Sequence, residues 1–170
     1  MRRALLAASG VLLFACLLFV PLAETFTFTE TRADEPAVHY IRVDGNRNFV
    51  IRYTHSIHLS DVVETYAVTD DGKIRLARME YEDLAIGLPG HAEEGETFSE
   101  KGGKYVLEYD DKVLDSFVLL IADIDADLEF RHGGRNYDLK EKLQRGKAYD
   151  FRIRKLSLFE LMKGMNMNGG

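Results

Sequence analysis

Histidine, serine and carboxylate side chains crowd one short stretch of this chain, Y-T-H-S-I-H-L-S-D-V-V-E-T-Y at 53–66. Two chemistries could use such a set. A serine activated by an imidazole base and an acid would serve acyl hydrolysis. His55, His58 and Glu64 could instead converge on a metal ion. Which of these is open depends on the backbone that carries the residues.

That backbone reads as a β-hairpin. Apolar residues recur with period two through 49–57 and 62–69, and 58–61 forms the loop between them. In this register His55 faces Glu64, Tyr53 faces Tyr66, Ile57 faces Val62 and Ile51 faces Val68. Directly facing β-carbons lie about 5 Å apart. Ser56 neighbours His55 in sequence and so points to the opposite face, which removes the triad. His55 and His58 are three apart and also diverge, and neither His39 nor His91 can be placed beside them. No catalytic residue, metal ligand set or cofactor is therefore assigned. The expectation is a polar pair, His55 with Glu64, flanked by Tyr53 and Tyr66 in an otherwise apolar row. Burying either partner alone would be costly, so the pair either fixes the strand register or meets a ligand at a cleft. Asp123, Asp125 and Asp127 begin like a calcium loop, but Leu128 and Gly134 stand where that loop needs Gly and Glu.

The strand period recurs along the rest of the chain. Strands are expected at 38–43, 49–57, 62–69, 74–82, 104–109, 117–124, 128–131, 137–139 and 149–156, separated by turns such as Asp70-Asp71-Gly72 and His132-Gly133-Gly134. The unalternating run 117–124 reads as a central strand buried on both faces. Short helices fit 139–145 and 157–163. The fold class is mostly β: an antiparallel sandwich or barrel of about 8–9 short strands, preceded by an N-terminal membrane or signal helix.

Arg2 and Arg3 precede an apolar, uncharged run at 4–23, close to the roughly 20 residues that cross a bilayer as a helix. The arginines hold the start in the cytoplasm and leave the body outside. An uncleaved anchor is favoured because the run exceeds the roughly 7–15 residues of a signal core. Cleavage after Ala23 and lipidation at Cys16 are the alternatives, and all three export the body. The division is then 1–23 anchor or signal, 24–37 threonine-rich spacer, 38–163 a single extracytoplasmic β domain and 164–170 a disordered tail. Cys16 is the only cysteine, so the body has no disulfide. The net charge is −6, and because the segment 1–23 carries only Arg2 and Arg3 the body itself is at −8, a poor match for a nucleic-acid partner.

Phe49-x-Ile51-x-Tyr53-Thr54-His55-Ser56, then Glu64-Thr65-Tyr66, Gly87-Leu88-Pro89-Gly90 and Gly134-Arg135-Asn136-Tyr137-Asp138-Leu139 resemble the bacterial family called domain of unknown function 1850. The resemblance spans roughly 38–156 and departs at Ile86, where the family has Gly-Ala-Gly before Leu-Pro. It implies small anchored or exported proteins, often encoded beside TRAP-type (TAXI-type) transporters, with the permease or substrate-binding protein as partner. It implies no reaction. The expectation is a membrane-anchored extracytoplasmic accessory domain. The alternative is a small-ligand- or metal-binding β domain whose pocket includes His55, Glu64 and the loop Gly87, Leu88, Pro89 and Gly90.

Overall fold

The computed structural model describes residues 18–84 and 87–169. The N-terminal residues 1–17, Cys16 among them, lie outside that description, as do Ala85 and Ile86. No helix among the described residues is long and apolar enough to cross a membrane.

Twelve strands and two short helices are described: β1 Pro21–Glu30, β2 Val38–Arg42, β3 Asn48–Thr54, β4 Asp61–Val68, β5 Ile74–Tyr81, β6 Glu96–Lys101, β7 Lys104–Leu114, β8 Phe117–Leu120, β9 Leu128–His132, β10 Arg135–Asp138, α1 Leu139–Lys142, β11 Ala148–Ser157, α2 Leu158–Lys163 and β12 Met165–Asn166. They form two sheets, ordered β12-β2-β1-β11-β8 and β10-β9-β3-β4-β5-β7-β6. Every pairing is antiparallel except the short parallel contact of β12 with β2. Neither sheet closes into a barrel. The sheets share one core, in which Phe26 and Phe151 of the smaller sheet meet Phe49 and Phe130 of the larger.

Residues read in sequence as the end of the apolar run and a spacer are in fact β1, in the middle of the smaller sheet. Its T-F-T-F alternation has the strand period, but threonine on the alternate positions makes it look solvated. Phe26 and Phe28 are fully buried, and so are Thr25 and Thr27. The two hydroxyls donate to the carbonyls of Arg154 and Arg152 on β11, which satisfies them without water. The spacer reading is corrected accordingly: the folded body begins at or before Pro21.

Three other expectations change. The run 117–124 gives only the four-residue edge strand β8, with Val118 and Leu120 exposed and Ile121 fully buried beyond it. β6 was not expected, because a polar edge strand keeps little apolar pattern. The tail at 164–170, expected to be disordered, instead adds β12 to β2 and buries Met167, whose N–H donates to the Tyr40 carbonyl. Both helices sit where expected and are capped. Asp138 accepts from the N–H groups of Lys140 and Glu141, and Ser157 forms a capping box with Glu160.

Two polar ties hold the β2–β3 connection in place. Arg47 pairs with Glu24 of β1 at 3.0 Å while donating to the Val68 carbonyl at the end of β4. Buried His132 reaches Asp44 Oδ1 at 2.8 Å through Nε2 and the Asn48 carbonyl at 3.0 Å through Nδ1. Asp44 also lies over Gly133, where a β-carbon would stand 2.4 Å from its carboxylate and where φ is +58°.

A chain beginning at Val38, as the spacer reading would choose, is expected to show no cooperative thermal unfolding. In the full chain, Phe26→Ala is expected to cost about 3–5 kcal/mol in denaturant titration. A cooperative melt of the shortened chain would show that the core closes without β1.

Candidate functional site

The hairpin that carries the polar cluster pairs differently from the sequence register. Phe49 faces Tyr66, Ile51 faces Glu64, Tyr53 faces Val62 and Thr54 faces Asp61. His55 therefore leaves the ladder, and the loop runs from 55 to 60. It is closed by His55 N–H donating to the Ser60 carbonyl and by Leu59 N–H donating to the His55 carbonyl. Leu59 takes the left-handed conformation, at φ 55°. Two contacts favour this register. Phe49 stacks on Tyr66 with ring centres 4.9 Å apart, and Arg52 grips Asp61 through two hydrogen bonds of 2.8 and 2.9 Å. Asp127 and Glu129 complete an acidic ring around the same guanidinium.

The displacement is an even number of residues, so every side chain keeps its face. Tyr53, Glu64 and Tyr66 do share the inner face, but the expected His55–Glu64 pair is not formed. Glu64 Oε2 instead accepts from the Tyr66 hydroxyl at 2.6 Å. Burial pushes the Glu64 carboxyl above its usual range, and the Tyr66 hydroxyl and the Lys112 ammonium draw it back only in part. Burial also lifts the Tyr53 and Tyr66 phenols well above theirs, and the Glu64 charge lifts them further. Tyr109 on β7 is pushed up to about 12, first by burial and then by Glu96 and Glu64. Lys112 lies 4.4 Å above the Tyr109 ring. The result is one half-buried carboxylate among phenols that stay protonated donors. It can bind and relay a proton.

His55 and Ser56 lie elsewhere, on the rim of a cleft of about 310 Å³ between the 55–60 loop and the β8–β9 connection. Leu119, Leu120, Ala122 and Ile124 form its apolar wall, and Lys140 and Asp127 stand with His55 at the polar margin. The wall is tied down: Lys140 Nζ donates to the Ile124 carbonyl at 2.6 Å, and Thr54 N–H donates to the Asp127 carbonyl at 3.1 Å. Tyr53 also lines this cleft, so one phenol belongs to both the cleft and the surroundings of Glu64.

The other candidates are dispersed. None of Gly87, Leu88, Pro89 and Gly90 lines the cleft; the Pro89 carbonyl accepts from the Tyr81 hydroxyl, which pins that loop to β5. His39 sits on β2 with its ring against Tyr149, and His91 is exposed. Asp123 and Asp125 are exposed while Asp127 pairs with Arg52. Among the described residues no three His, Cys, Asp or Glu side chains form a metal-holding group. Sequence reasoning missed Tyr109 and Lys112, which lie on the far part of β7, and the apolar wall, which it read as a buried central strand.

These features define a small, mostly β domain of two open antiparallel sheets with a cleft beside an edge strand. The chain belongs to the family described as domain of unknown function (DUF1850), whose model matches residues 49–139. The match takes in β4 to β10, nearly all of β3 and hence the cleft and the Glu64 cluster; β1, β2, β11 and β12 lie outside it. No curated protein and no solved structure matches the chain.

Because the folded state holds the Glu64 proton more tightly than the unfolded chain does, stability should fall as pH rises from the ordinary glutamate range through the raised value. Glu64→Gln should flatten that slope in pH-dependent denaturation and leave stability at pH 7 equal to or up to about 1 kcal/mol above the parent. Tyr66→Phe strips the carboxylate of its donor and should cost about 1.5–3 kcal/mol. An unchanged pH slope in the Gln variant would show that Glu64 titrates normally.

Proposed function

We propose that the chain is a binding domain carried outside the cytoplasm on a membrane-inserted N-terminal segment, and that the cleft beside β8 receives an apolar group of a partner protein. In the stricter form of this reading the partner is the permease or substrate-binding protein of a TRAP-type transporter, and the two sheets form a sandwich that presents the cleft rigidly. The observation that carries the reading is the cleft itself. Its wall of Leu119, Leu120, Ala122 and Ile124 is apolar, its margin holds His55, Asp127 and Lys140, and its backbone is already fixed by hydrogen bonds. A concave apolar surface with a few oriented polar groups is the usual form of a recognition site. Leu120 is 60% exposed and Ile124 45% exposed, so a partner covering them removes apolar surface from water.

A small amphipathic ligand is the second reading, favoured by Tyr53, whose phenol joins the cleft to the Glu64 cluster. The two readings separate in experiment. Co-purification from detergent with a co-expressed TRAP-type permease should be lost, about tenfold or more, in Leu120→Asp while the melting temperature stays unchanged. Ala122→Phe, which fills the cleft, should abolish any thermal shift given by a small molecule. Repeated failure to recover a partner, with uptake unaffected by deletion of the chain, would sink the first reading. Thermal shifts that survive Ala122→Phe would sink the second.

A further inference from the structure

The apolar run at 4–23 and the folded body overlap. Pro21 is already paired with Ser157, and the strand that begins there continues into the core. A membrane-inserted run would therefore have no spacer between it and the domain, and the face on which the run meets the body would lie against the bilayer surface. Large exposed apolar side chains lie on the elements that meet at this junction. Phe19 is 61% exposed, Leu22 72%, Leu158 50%, Met162 70% and Met165 54%. Phe159 joins them, its ring 5.1 Å from that of Phe19. On α2, Leu161 turns into a small core with Tyr40 and Leu156, which leaves Leu158, Phe159 and Met162 outward. Lys163 closes the helix with its ammonium 5.8 Å from the Phe159 ring. An apolar helical face with a cation at its edge is the pattern of a segment lying in the headgroup–acyl boundary.

We propose that α2 and the start of β1 form a lipid-contacting patch that seats the domain directly on the bilayer. Phe159 and Met162 enter the boundary region, and Lys163 meets the phosphate groups above them. The inference rests on the membrane-inserted reading of the N-terminal run, and the test separates the two.

The chain contains no tryptophan, so a single introduced indole reports without background. Phe159→Trp and Met162→Trp in the full-length protein would be reconstituted into phosphatidylcholine–phosphatidylglycerol vesicles, with or without brominated acyl chains. Val118→Trp on β8, paired near the other end of β11, serves as the reference. Blue-shifted emission that brominated lipid quenches about twofold or more at both patch positions, with the reference unaffected, is the expected result. Vesicle-bound protein with unquenched patch positions would overturn the proposal and leave the membrane reading intact; blue-shifted but unquenched emission would then mean that protein covers the patch. Equal quenching at Val118→Trp would overturn it as general adsorption. Protein that stays in the supernatant after flotation would overturn both.

Discussion

Phe26 and Phe151 of one sheet meet Phe49 and Phe130 of the other with ring centres mostly 5–6 Å apart, and this contact holds the two layers together. Edge-to-face and offset aromatic pairs add directional preference to the burial of large apolar area. The described body has no disulfide to compensate for a missing ring, because Cys16 is the only cysteine. Each sheet is open and one-sided without its neighbour. The polar ties at Arg47 and His132 lie at the same junction, with the His132 ring 4.8 Å from that of Phe26. Even the hairpin register depends on this cluster, since Tyr66 is drawn opposite Phe49 and stacks on Phe117 from β8.

Much of the larger sheet was legible in the residues. Period two and glycine turns locate β2 to β5, β7 and β9 to β11, an unalternating apolar run marks β8, and Tyr53, Glu64 and Tyr66 lie on the face that alternation assigns them. The facing partners did not survive, because alternation fixes which side a residue points to and leaves register free by even steps. Register was decided by contacts invisible in a linear reading: Phe49 on Tyr66, and Arg52 among Asp61, Asp127 and Glu129. β1 was hidden for a different reason. Its buried threonines are satisfied by β11 carbonyls more than a hundred residues away. The cleft was hidden by its own composition, since a run of Phe, Val, Leu and Ile looks central wherever it lies, and only the sheet order makes β8 an edge.

The smaller sheet stops at β8 while the larger continues through β5, β7 and β6. This mismatch in width organises the candidate site. Glu64 lies on β4, near the limit of the cover given by β8, where burial is deep enough to raise its carboxyl and the charge of Lys112 still reaches it. The cleft opens beside the same strand. The family match covers nearly all of the larger sheet together with β8, which is the part that contains both features.

The strand order β12-β2-β1-β11 brings the first and last described strands into one sheet. β1 and β2 pair with each other early, but Phe26 still waits for Phe151, and Tyr40 for Leu161 and Met167, before their sheet is complete. Such non-local pairing makes folding late and comparatively slow. That delay falls mostly on the smaller sheet, since β3, β4 and β5 pair between strands close in sequence. The first strands cannot become a finished sheet by themselves, and the core closes only once β11 lies against β1.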